Sequence, residues 1–149
     1  MANCCDFAMS FVGSEESIQK LLERFNLNDV DLLNIPGQDV SSFLNCSEAT
    51  ISTFDNQEIV LEGYCAWSVE NCFLNPGNLF NLNSVSKELL LLITVKSREI
   101  GMTFSEHYLL KDGELLLDEC TNFEFDDFFD DELNLKPEME RAWDKFLEL

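Results

Sequence analysis

The chain has 149 residues, enough for one domain or one domain with a short appendage, and its 29 acids against nine bases give a net charge of −20. A surface this negative repels nucleic acid and anionic lipid and attracts the basic surfaces that normally bind them, which argues against direct DNA, RNA or membrane binding. Hydrophobic residues make up 46% of the chain and Phe occurs thirteen times, so a folded core is expected rather than an acidic tail without aromatics.

Residues 5–12 place Cys5, Phe7, Met9 and Phe11 at alternate positions, the period of a strand. Gly13-Ser14-Glu15-Glu16 offers a helix start with acids in the first turn, and Ile18, Leu21, Leu22 and Phe25 follow at helical spacing. Residues 26–57 are punctuated by Asn26, Asn28, Pro36 and Gly37 and read as one long connection. Residues 58–68 alternate as a second strand. Asn75-Pro76-Gly77 is a turn, and Leu79, Leu82 and Val85 outline a weak helix. Glu88–Lys96 reads as a strand apolar on both faces, hence central. Met102–Leu110 and Glu114–Glu119 form a hairpin about Asp112-Gly113, the favoured turn pair. Pro137 suits the first turn of a last helix, whose Met139, Ala142, Trp143, Phe146 and Leu147 line one face, with Trp143 expected in the core.

This order predicts an α+β protein, a mostly antiparallel sheet with helices on one face and an acidic C-terminal segment plus helix. Residues 1–120 are expected to form the domain, and 121–149 an acidic segment and helix packed on it. The longest apolar run, Leu89–Val95, has strand length, far short of the roughly 20 residues of a membrane helix. The N-terminus has neither a basic region nor a long apolar segment, so the expected location is the cytoplasm. The six cysteines are then expected to be reduced. No pair has C-x2-C spacing and His107 is the only histidine, so neither a zinc site nor a cofactor is expected.

Three pieces together resemble one family. The opening MANCCDFAMSFVG resembles the Met-x-Asn-x-Cys start of the YubB-like ferredoxin-like domain proteins of plasmids and phages. EGYCAWSVENCFLN, residues 62–75, is similar to their strand-and-tryptophan segment. REIGMTFSEHYLLKDGELLLDE, residues 98–119, resembles their glycine-aromatic hairpin. The similarity covers roughly residues 1–25 and 58–119; Cys4 stands where the family has Trp, and Val69-Glu70 where Pro-Pro often follows the tryptophan. The resemblance implies a ferredoxin-like sheet and a mobile-element origin, and it brings no catalytic residues.

The charge gathers toward the C-terminus: residues 112–149 hold fourteen acids and three bases. Asp118, Glu119, Glu124, Asp126, Asp127, Asp130, Asp131 and Glu132 follow one another without a base, interleaved with Phe123, Phe125, Phe128 and Phe129. On a helix rising about 1.5 Å per residue, these acids would repeat about every 3 Å, close to the roughly 3.4 Å charge spacing of one DNA strand. On a strand the spacing would be about 6 Å and the mimicry poorer. A calcium loop needs acids at alternate positions and a glycine; Phe128 and Phe129 break that template. There is no phosphate loop and no nucleophile elbow.

The leading expectation is a non-catalytic phage or mobile-element inhibitor, an anti-CRISPR or other anti-defence protein. It would occupy the nucleic-acid channel of a basic host protein such as a Cas effector. Asp118, Glu119, Glu124, Asp126, Asp127, Phe128, Phe129, Asp130, Asp131 and Glu132 would make the contact. The alternative is a small-ligand-binding or regulatory domain with a pocket near Trp67, His107 and Tyr108. An enzyme with a carboxylate-bound metal, sensitive to chelator and to substitution of Asp126 or Asp130, is a third option.

Overall fold

The computed structural model describes residues 3–25, 35–44, 46–124, 130–132, 134, 136–146 and 148, with Trp143 described by its backbone alone. The alternating apolar residues of the N-terminus form strand β1 (Cys4–Val12), and helix α1 (Glu15–Arg24) follows. Ser14 caps α1, its hydroxyl accepting the Ser17 N–H at 3.1 Å. The segment 26–57 is not one connection. Beyond residues 26–34, which lie outside the described set, it holds a one-turn helix α2 (Ser41–Leu44) and strand β2 (Glu48–Phe54). The alternation of β2 is short because only Ala49 and Ile51 face the core before a bulge between Ile51 and Thr53 shifts the register.

Strand β3 (Glu58–Ala66) leads into a π-helical turn (Glu70–Leu74), which the sequence pattern does not announce, and then helix α3 (Leu82–Leu89). The apolar run Leu89–Val95 is therefore not a single strand. Leu89 ends α3, Leu90 takes a left-handed cap with φ 53°, Leu91 is buried, and strand β4 (Leu92–Glu99) starts only then, with an alternating burial pattern. Strands β5 (Phe104–Lys111) and β6 (Glu114–Asn122) form the expected hairpin, both Asp112 and Gly113 having positive φ as this turn requires. Helix α4 (Pro137–Phe146) closes the chain.

The six strands form one sheet in the order β2-β3-β1-β4-β5-β6, antiparallel at every contact. The connections from β1 to β2 and from β3 to β4 each skip one strand, so the two crossovers interleave. One face carries the core. Phe7, Met9 and Phe11 of β1 lie beside Leu61, Ile93 and Val95, under Ile18 and Leu21 of α1 and Leu82 and Val85 of α3. Phe11, Phe25, Phe43 and Phe80 pack edge-to-face or tilted, with ring centroids 5.5–6.5 Å apart.

The helices do not all share that face. Lys96 and Arg98 occupy the outward positions of β4, between the buried Val95, Ser97 and Glu99. Arg98 Nη1 donates to Asp144 at 2.6 Å, Lys96 Nζ to the Glu148 carbonyl at 3.0 Å, and Lys96 lies 5.5 Å from the Phe146 ring centre. The acidic α4 thus lies across the second face, where β4 offers its two bases, and Ala142 is exposed rather than packed. The expected places of Trp143 and Leu147 fall outside what is described.

Gly63 pairs with Ala49 across β2 and β3, and a Cβ there would meet the Glu48 carbonyl oxygen at 2.1 Å. Gly63→Ala is expected to destabilise the fold by about 1–3 kcal/mol, seen as a Tm lower by several degrees. Gly77→Ala, with nothing within 4 Å, leaves Tm near the parent value.

Candidate functional site

Among the described strands β6 is a sheet edge, paired only with β5, and its residues are exposed except for half-buried Leu117. Asp118 lies opposite Tyr108 and Cys120 opposite Glu106, so these two share the core-side face; Glu119 lies opposite His107 and points to the other side. Asp118 and Glu119 therefore do not belong to one array. Same-face residues on a strand repeat about every 6.6 Å, twice the charge spacing of a DNA strand, so this part of the run is not a line of phosphate-like charges.

Past β6, Phe123 is half-buried, its N–H donating to the Thr103 carbonyl at 2.7 Å, and Glu124 is exposed. Phe125, Asp126, Asp127, Phe128 and Phe129 lie outside the described residues. Asp130, Asp131 and Glu132 are exposed, and the Asp130 carboxylate accepts the N–H groups of Glu132 and Asn134, both at 2.9 Å. Among the described residues, Asp118, Glu119, Glu124, Asp130, Asp131 and Glu132 make no ion pair.

The second feature centres on Glu106, which sequence reasoning passed over. Its signal was its place: Glu106, Tyr108 and Leu110 are the inward positions of β5, and a carboxylate there must find donors. Glu106 is 2% exposed. Its Oε1 accepts the Val69 N–H at 2.9 Å and the Ser97 hydroxyl at 2.6 Å, with the Cys5 thiol at 3.8 Å. Its Oε2 accepts the Glu70 N–H at 3.1 Å and the Tyr108 hydroxyl at 2.6 Å. Val69 and Glu70 begin the π-helical turn, where backbone N–H groups have no acceptor within the helix, and Glu106 supplies it. Burial, and then the bond to Glu106, push the Tyr108 phenol well above its ordinary pKa.

Ala66, Trp67 and Ser68 make a three-residue turn closed by Ser68 N–H to the Ala66 carbonyl at 3.0 Å, with Trp67 at φ 71°. The Trp67 N–H donates to the Asn3 carbonyl at 2.8 Å. This turn holds the Trp67 side chain 51% exposed at the mouth of a cavity of about 370 Å³. Met102 and Phe104 form its other apolar walls; Asn3, Glu70 and Asn122 line it with polar groups, Glu106 lies at its base and Cys120 at its side. Of the three residues expected near a pocket, Trp67 lines this cavity and Tyr108 does not, being buried on the core side of β5 with its hydroxyl on Glu106. His107 faces away, between Lys96 and Glu119, with its pKa lowered by burial and by Lys96 and partly restored by Glu119.

All six cysteines are free. Cys5 and Cys65 are register partners across β1 and β3, and Cys72 Sγ donates to the Ala66 carbonyl at 3.1 Å. A hydrogen bond from Cys65 holds the Cys72 thiol down, at about 7. Cys65 is pushed up by its bonds to Cys5 and Cys72, and burial, with Cys72 next, lifts Cys46 to about 12. Among the described residues no three metal-ligating side chains converge, and no helix is long and apolar enough to cross a membrane. No family model, curated protein or solved structure matches the chain.

Replacing Glu106 by Leu would strand two backbone N–H groups, Ser97 and Tyr108. The expected loss is about 3 kcal/mol or more, read from urea unfolding, with Glu106→Gln recovering only part because it keeps one acceptor oxygen. Thiol alkylation followed by peptide mapping at neutral pH is expected to modify Cys72 ahead of Cys46 and Cys65, since its thiol pKa is lowered while theirs are raised and it is less buried than Cys65. Equal rates at the three would contradict that ordering.

Proposed function

We propose that this protein is a non-catalytic binding protein of a phage or other mobile element, acting in the host cytoplasm on a basic nucleic-acid-binding protein. A CRISPR-type defence nuclease is the partner class that fits best. The observation that carries this reading is the β6 edge and the stretch to residue 132, where Asp118, Glu119, Glu124, Asp130, Asp131 and Glu132 make no ion pair with a described residue. Such a surface draws a basic channel by long-range attraction and competes with the nucleic acid bound there. It does so as a folded acidic face and not as a regular row of phosphates.

The sheet order supports the family side of this reading. Strands β1 to β4 lie in the order β2-β3-β1-β4 with two interleaved crossovers, the arrangement of a ferredoxin-like unit, to which β5 and β6 add a hairpin at the β4 edge. Under this reading the segments that resemble the YubB-like proteins fall on β1, on β3 with its π-helical turn, and on that hairpin. A second reading, a ligand-binding or regulatory domain, is favoured by the cavity beside Trp67.

The test is capture of partners from bacterial lysates rich in defence systems, at low and high salt, with and without competing DNA or RNA. A basic nuclease retained at low salt and displaced by nucleic acid is the expected outcome. A variant carrying Asp118→Lys, Glu119→Lys and Glu124→Lys is expected to associate with it about tenfold more slowly or worse. Retention indifferent to salt, to nucleic acid and to this variant would overturn the acidic-surface reading.

A further inference from the structure

Four features of the Trp67 cleft specify one kind of occupant. First, it presents uncovered apolar surface: Trp67 is 51% and Met102 63% exposed, with Phe104 half-buried behind them. Second, the tryptophan is held there against a backbone preference. A bulky residue at φ 71° lies in the left-handed region and costs on the order of 1 kcal/mol relative to glycine. The turn stays in place because Asn3 binds it on one side, and Val69 and Glu70, bonded to Glu106, anchor the chain on the other.

Third, the polar lining is one-sided in charge. Glu70 and Glu106 are the charged residues of the cleft, and no Lys or Arg lines it. Asp118 stands on the same face of β6 as Cys120 and Asn122. Cys120, in the cleft wall, has its thiol pKa raised by burial and then by Glu106, Glu70 and Asp118 in turn. Fourth, the two glutamates differ in availability. The oxygens of Glu106 are filled by donors, so it contributes negative charge at low dielectric. Glu70 is exposed, and its carboxylate makes no ion pair among the described residues.

We propose that this cleft is an arginine pocket, receiving one arginine side chain of a partner protein between Trp67, Met102 and the Glu70 carboxylate. A volume of about 370 Å³ is at the small end for ligand sites and suits one long side chain. An arginine offers an apolar stem for Met102, a flat cation for the indole face, and a two-pronged donor for Glu70. Lysine has the charge without the plane or the fork. The inference rests on the proposed basic partner only for the source of the arginine; the chemistry of the cleft stands without it.

The full-length chain is titrated with N-acetyl-arginine-N-methylamide while the Trp67 indole N–H, assigned through Trp67→Phe, is followed by NMR. The expected result is a saturable shift, with the uncharged citrulline analogue and the lysine analogue each binding about tenfold more weakly. Glu70→Gln is expected to weaken binding about tenfold. Trp67→Gly is expected to abolish it while matching or exceeding the parent in Tm, because glycine accepts the positive φ. Absence of a saturable shift, or equal binding of the citrulline analogue, would overturn the pocket. Arginine binding with no basic partner captured would uphold the pocket and remove only the partner reading. A partner held equally well by Trp67→Gly would place the interface on the β6 edge and overturn the pocket's role in it.

Discussion

A single buried carboxylate joins the core of this protein to its most distinctive surface. Glu106 draws a thiol from β1, a hydroxyl from β4, a phenol from β5 and two backbone N–H groups from the π-helical turn onto its two oxygens. A charge withdrawn from water to this degree costs several kcal/mol unless its acceptors are filled, and here they are filled from four separate elements. The chain leaving β3 must therefore bend so that Val69 and Glu70 reach Glu106. That bend falls at Ala66–Ser68 and puts Trp67 at the mouth of the cleft. Satisfying the core and exposing the tryptophan are one constraint seen from two sides.

Two of the three bases of the sheet, those of β4, are committed internally, while Lys111 ends β5 opposite Glu114. Arg98 is shared by Asp6 and Asp144, and Lys96 meets the end of the chain beyond α4. On the helical side Lys20 pairs with Glu16, and Arg24 with Glu88. What remains toward β6 is acidic on both of its faces, Asp118 on one and Glu119 on the other. The negative charge of β6 beyond the Lys111–Glu114 turn thus owes as much to the placement of a few bases as to the number of acids.

The regular periods of the chain were legible and its compensations were not. Phe7, Met9 and Phe11 announced β1, Ile18 to Phe25 announced α1, and Asp112-Gly113 announced the last hairpin, because each follows a local rule. Strand β2 escaped because its inward side has only Ala49 and Ile51 before a bulge, too short a period to stand out. The run Leu89–Val95 misled because buried helix ends and buried strands are equally apolar, and only the left-handed Leu90 separates them. The second-face position of α4 depends on Lys96 and Arg98, whose bonds to it and to the residues after it span 46 and 52 positions. The cleft is half-legible: Trp67 stands out in the sequence, whereas His107 faces away from Tyr108 because neighbours on a strand point to opposite sides. The role of Glu106 is not legible, because the donors that hold it come largely from other elements, β1, β4 and the π-helical turn.

The acids of β6 would have a purpose even without a partner. An exposed edge strand with Leu115 and Leu116 uncovered invites pairing with a second copy, and Glu114, Asp118 and Glu119 oppose that pairing by like-charge repulsion. Edge protection needs only a few charges, however, and it acts over the length of the strand. It does not account for Asp130, Asp131 and Glu132, which lie beyond β6, nor for a net −20 on the whole chain. The same repulsion that keeps two copies apart turns into attraction for a basic surface, at longer range than any contact along the strand edge. The excess beyond what the edge requires is what the proposed cationic partner would explain, and the neighbouring cleft would give that attraction a place to become a specific contact.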